Sequence, residues 1–136
     1  MKGRKRQIIT DTMGLLVCAL VQPANTSDIT AMDELLPRIP FTSRLARLVA
    51  DKGYDSGAVA NRCQQWLGIS LEIVKRVGKG FHVQPRRWVA ERTFAWFGKY
   101  RRLSKDYEQL PEVSETFLYV ASIHIMTRRL ANVPSF

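Results

Sequence analysis

The chain has 136 residues, 46% hydrophobic and 24% charged, and its 21 Lys/Arg against 12 Asp/Glu give a formal net charge of +9. That length fits one domain with a real core, and its longest apolar run, Leu15 to Val21, is far too short to cross a bilayer. Cys18 and Cys63 lie in apolar or amphipathic stretches without Cys-x-x-Cys or Cys/His spacing, which reads as buried free thiols in a cytoplasmic protein and argues against a disulfide scaffold or a zinc module.

Gln7 to Asp11 and Leu15 to Gln22 are apolar runs containing β-branched residues, joined by Thr12-Met13-Gly14, and they predict a hairpin. Asn25-Thr26-Ser27-Asp28 supplies capping side chains for a short helix to about Leu36, with Ile29, Met32, Leu35 and Leu36 at helical spacing. Arg47 to Asp51 reads as a short buried strand that stops at an acid. The turn-rich Lys52-Gly53-Tyr54-Asp55-Ser56-Gly57 leads into a helix over Ala58 to Leu67, and Ile69 to Val74 is another strand. Pro85 suits the first turn of a helix running to about Leu103, weakened near its far end by Gly98. A last helix, roughly Pro111 to Ala131, is expected to carry Val113, Phe117, Leu118, Ala121, Ile125 and Leu130 on one broad apolar stripe. The order β-β-α-β-α-β-α-α predicts an α/β sheet with helical cover.

The charge is local. From Lys75 to Lys105 there are ten Lys/Arg against the single acid Glu91, while the rest of the chain balances at eleven against eleven. Clustered positive charge favours nucleic acid over a membrane surface as the partner. A carboxylate held among arginines and aromatics is what a metal-dependent enzyme acting on a polyanion needs, because the arginines bind phosphate and the acid can hold a divalent cation. The alternative is a solvated basic helix with an intrahelical ion pair from Arg87, one turn before Glu91.

Asp51 is the second candidate, since open α/β sheets place ligands at the carboxyl ends of their strands. A turn or helix-capping aspartate is the competing account. Two carboxylates meeting at one end of a sheet would share hard cations through oxygen ligands. Of Trp88, Phe94, Trp96, Phe97 and Tyr100, most read as core anchors, with one or two free to stack on unpaired bases. His82 and His124 are isolated.

Taken together, several segments resemble the C-terminal half of a bacterial insertion-sequence transposase of the acidic-triad (DDE) class, in insertion-sequence family five. The carrying residues are Lys2-Gly3-Arg4-Lys5-Arg6 with Thr10-Asp11-Thr12-Met13-Gly14, Ala24-Asn25 before Asp28, and Ala50-Asp51-Lys52-Gly53-Tyr54. They continue with Pro85-Arg86-Arg87-Trp88-Val89-Ala90-Glu91-Arg92-Thr93-Phe94-Ala95-Trp96 and Tyr100-Arg101-Arg102-Leu103-Ser104-Lys105-Asp106-Tyr107-Glu108. In the family's stricter signature a tyrosine stands at the position of Gln84 and a basic residue at that of Gly98, with Lys99 here one step later.

The resemblance implies a ribonuclease H-like mixed sheet flanked by helices, and DNA transposition by strand cleavage and transfer at the element's ends. It assigns Asp51 and Glu91 as the second and third acids of a site for two divalent ions, usually Mg2+. Arg87 matches a position expected to hold DNA phosphates or the acid itself. Arg86, Arg87, Arg92, Lys99, Arg101 and Arg102 are the candidate DNA contacts. The family's first acid lies upstream, on a central strand before Lys2-Gly3-Arg4-Lys5-Arg6, so residues 1–136 are expected to form a partial catalytic domain that lacks that strand. Such a chain is expected to be inactive alone, and marginally stable or completed by another polypeptide, either the upstream transposase segment or full-length transposase. The rival reading is a non-catalytic DNA-binding or regulatory fragment that modulates full-length transposase.

Overall fold

The computed structural model describes residues 3–40, 45–74, 88–100, 103 and 110–132, with positions 88, 90 and 91 given by their backbone. The elements follow the expected order: β1 (Arg4–Thr10), β2 (Leu16–Pro23), α1 (Asp28–Leu35), β3 (Arg47–Ala50), α2 (Gly57–Arg62), β4 (Ser70–Ile73), α3 (Trp88–Gly98) and α4 (Pro111–Ala131). Short 3-10 turns follow α1 and β3, and α2 runs on through a π-helical turn, Cys63–Leu67. The result is a mixed α/β fold in which, among the described residues, the strands form two separate pairs. β1 and β2 are antiparallel, and β3 and β4 are parallel.

The Leu15 to Val21 run is continuously apolar because both faces of β2 are covered. Cys18 and Leu20 point into one core with Ile9, Met32, Leu35, Leu36, Leu48, Val59, Cys63 and Ile69. Ala19 and Val21 point into a second core with Phe97, Leu103, Leu118 and Ala121. The hairpin is therefore the middle layer, with α1 and α2 on one side and α3 and α4 on the other. Both cysteines are buried free thiols, as their apolar settings predict.

Asp11 closes the hairpin. Its Oδ1 accepts the Met13 and Leu15 N–H groups, each at 2.9 Å, while Gly14 supplies the left-handed backbone at φ +84°. The outer edge of β2 is closed by side chains. Tyr119 Oη accepts the Ala19 N–H at 2.9 Å, Glu115 Oε1 accepts the Val21 N–H at 2.9 Å, and Arg38 Nη1 donates to the Ala19 carbonyl at 2.9 Å. Arg38 also pairs with Glu115 at 2.9 Å, so one ion pair serves two backbone groups of an edge that would otherwise be open.

Three expectations need correction. Helix α3, expected to run to about Leu103, stops at Gly98, where glycine's poor helix propensity breaks it. The strand predicted from Gln7 begins at Arg4, because Arg4, Lys5 and Arg6 pair with Pro23, Gln22 and Val21. The single apolar stripe predicted for α4 is divided. Leu118 and Ala121 are buried and Phe117 and Ile125 partly so, but Val113 is 38% and Leu130 76% exposed. The core needs only one side of this 21-residue helix, so the remaining apolar positions face outward.

Candidate active site

A cleft of about 810 Å3 separates the two strand pairs, lined along one wall by β1 and along the other by β3. Lys5 on β1 pairs with Asp28 at 3.0 Å, and Asp28 in turn abuts Gly53, just past the carboxyl end of β3. The amino-terminal half of β1 thus lies beside the end of β3. Ala46 and Ala50 turn their carbonyls to β4, accepting from Ser70 and Val74, so Arg47 and Val49 present their peptides away from β4. By the same alternation Arg6 and Ile8, opposite Val21 and Ala19, present theirs away from β2.

Asp51 stands at the rim of this cleft, half-buried, where β3 ends. Its Oδ1 accepts the Gly53 N–H at 2.9 Å and caps the 3-10 turn Lys52–Tyr54, which is the capping role that competed with the catalytic one. Gly53 leaves room for a second carboxylate. A Cβ built there would stand 2.5 Å from Asp28 Oδ2 and 3.2 Å from Asp51 Oδ1, so the two acids flank the same glycine. Tyr54 completes the corner by donating from its hydroxyl to Gln7 Oε1 at 2.7 Å. Burial, reinforced by the Asp28 and Asp51 charges, raises the Tyr54 phenol above its ordinary range and keeps it a neutral donor.

Sequence reasoning assigned Asp28 only to a helix start. The available signal was its place in the Ala24-Asn25-x-x-Asp28 block, yet nothing in local spacing brings residue 28 beside residue 51; α1 packing against the turn after β3 does so.

Helix α3 approaches the cleft from another side. Val89 and Phe94 line it, and Glu91 lies between them in the same helix. The Glu91 side chain is outside the described residues, as are Arg86, Arg87, Arg101 and Arg102. The helix is pinned to the hairpin turn by Thr93, whose Oγ1 donates to the Gly14 carbonyl at 2.6 Å, and by Arg92, whose Nη2 donates to the Met13 carbonyl at 2.8 Å. Arg92 also lies over the Trp96 ring at 4.8 Å, with Arg129 against the same ring at 4.9 Å. Arg92 therefore spends part of its guanidinium on structure. Lys99 is exposed one step beyond the helix end. Among the described α3 side chains Phe97 is a core anchor, whereas Phe94 is 38% exposed at the cleft.

Asp51 and Asp28 offer hard oxygen donors, the type that Mg2+ prefers. Among the described residues no group of three or more His, Cys, Asp or Glu comes together to hold a metal ion, and no helix is long and apolar enough to cross a membrane.

A family model for the transposase DDE domain matches residues 1–126, nearly the whole chain. The chain belongs to the DDE transposase family. One relative of this transposase domain is a Burkholderia cepacia protein described as a transposase for insertion sequence element IS402, 35% identical over 125 residues. That match takes in 85% of this chain but 59% of the relative, so the chain spans well under two thirds of the relative's length. No solved structure matches the transposase domain.

Proposed function

We propose that this chain is the C-terminal portion of an insertion-sequence family five transposase, that it carries two acids of the centre that cuts and joins DNA, and that its cleft is the seat of a further strand. The observation that carries this reading is the pair of strand edges facing one cleft, with Asp51 at its rim and the Glu91 helix along its side. Gln7 fits the same reading: it lines the cleft, is 3% exposed, and its Nε2 has no hydrogen-bond partner among the described residues. A central strand laid between β1 and β3 would merge the two pairs into one mixed sheet of the ribonuclease H-like kind, satisfy the peptides of Arg6, Ile8, Arg47 and Val49, and bring the first acid.

Asp51 and Glu91 are the residues that would hold Mg2+, with Asp28 beside Asp51 across Gly53. Bound divalent cations in such a centre activate a hydroxyl nucleophile and stabilise the leaving oxygen of a phosphodiester. The chain's own part is to hold the carboxylates at the end of β3 and on α3, and to lay Arg86, Arg87, Arg92, Lys99, Arg101 and Arg102 along the DNA phosphates. Binding of this kind releases counterions, so affinity falls steeply with salt.

Manganese titration followed by electron paramagnetic resonance tests the site. Bound manganese should be lost in both Asp51→Asn and Glu91→Gln. Binding that survives both changes rejects the assignment, and a chain that binds DNA without any carboxylate-dependent manganese site would be a regulatory DNA binder.

A further inference from the structure

Helix α4 has two apolar faces, and the fold uses one. Ser114, Leu118, Ala121 and Ser122 are buried against the hairpin layer. Val113, Thr116, Val120, Ile123, Thr127 and Leu130 are exposed, with Val120 54% and Ile123 59% accessible. The gaps between these six alternate three, four, three, four, three, which is the seam of a two-helix coiled coil carried through the whole helix. Isolated apolar residues on a surface have no such register. The threonines do not interrupt the seam. Thr116 Oγ1 donates to the Glu112 carbonyl at 2.9 Å and Thr127 Oγ1 to the Ile123 carbonyl at 2.7 Å, so both hydroxyls are satisfied within their own helix and their methyl groups remain for contact.

The order of residues along the seam selects the occupant. From either end it reads apolar, threonine, apolar, apolar, threonine, apolar. A second copy laid antiparallel sets Val113 on Leu130, Thr116 on Thr127 and Val120 on Ile123, so every layer matches in polarity and the surface is its own complement under a two-fold axis. Charge fixes the direction. Glu112 lies in the first turn and Arg128 and Arg129 in the last. A parallel pair stacks like charges at both ends, whereas the antiparallel pair brings the acidic end of one helix to the basic end of the other and opposes the helix dipoles.

We infer that the outward face of α4 pairs antiparallel with α4 of a second copy of this chain. The seam lies on the far side of the hairpin layer from the β3–β4 pair, and the pairing stands whether or not the cleft takes a strand.

Sedimentation velocity on the full chain, with far-ultraviolet circular dichroism as the check on folding, reads the outcome. The wild type should sediment as a dimer. Ile123→Asp and Val120→Asp, at sites already exposed within the monomer, should keep the helical signal and raise the dissociation constant at least about tenfold. A monomeric wild type, or a dimer unaffected by both changes, overturns the inference. Cross-linking covers the case in which the chain self-associates beyond a dimer. When Val120→Cys and Ile123→Cys proteins are mixed, one carrying a tag that separates the species on a non-reducing gel, the mixed disulfide should predominate over like pairs. Like pairs in excess, or no link above the background of the buried Cys18 and Cys63, also overturn it.

Discussion

The Tyr54 hydroxyl donates to Gln7 Oε1 at 2.7 Å, and this one bond joins the turn after Asp51 to the middle of β1 across the cleft. Tyr54→Phe keeps the ring and removes the bond. The Gln7 side chain, already lacking a partner at Nε2 among the described residues, would then have an unmatched oxygen as well. Urea denaturation should show a loss of about 1–2 kcal/mol.

Gly14 and Thr93 define how α3 meets the hairpin. At φ +84° Gly14 holds a backbone that other residues rarely adopt, and an added Cβ would come within 3.0 Å of Thr93 Oγ1 and 3.1 Å of Arg92 Nη2. Gly14→Ala should cost about 1–3 kcal/mol in stability, and Thr93→Val, which leaves the Gly14 carbonyl without its donor, about 1–3 kcal/mol. The two changes remove one shared contact, so the double variant should lose less than the summed single losses in the same denaturation experiment.

Gly53→Ala probes the acid pair without altering a charge. The new methyl group meets Asp28 Oδ2 at 2.5 Å and must displace a carboxylate. Metal affinity should weaken about tenfold, by analogy with the loss of outer contacts at other metal sites, while the circular dichroism spectrum is retained. Unchanged manganese affinity would separate Asp28 and Asp51 from the cation.

Burial pushes the Cys18 thiol from an ordinary value of 9.0 up to about 12, opposed in part by Arg38. A thiol is neutral when protonated, so this raised value costs nothing below pH 9 and removes stability as the pH climbs from 9 toward 12. Tyr54 and Cys63 shift in the same direction. Stability should therefore be flat near neutrality and decline above pH 9, and Cys18→Ser should not abolish the flat region. Native Cys18 should resist alkylation at pH 8, where the denatured chain reacts.

The order of strands and helices was legible because each element carries its own signal. Gly14 and Asp11 mark the hairpin turn, Ser27 caps α1 by accepting the Thr30 N–H, and Pro111 opens α4. The depth of β1 was not, because Arg4, Lys5 and Arg6 carry no apolar alternation, and only the fold gives each a use: Lys5 on Asp28, Arg6 on the Leu103 carbonyl, and all three in the ladder with β2. Nor could periodicity assign the faces of α4. Val113 and Leu130 have the same apolarity as Leu118, and only the position of β2 decides which side is covered. At the site, Asp51 was readable as an acid that ends a strand. Asp28 was not, since its meeting with Gly53 depends on how α1 docks.

The most direct measurement is DNA strand transfer at element ends, at matched magnesium, with this chain alone and with the chain joined to the polypeptide that supplies the cleft's strand. No joining is expected from the chain alone, with activity from the joined form and a fall of at least about a hundredfold in that form for either Asp51→Asn or Glu91→Gln. Full activity from residues 1–136 alone, or a joined enzyme indifferent to both substitutions, would contradict that expectation.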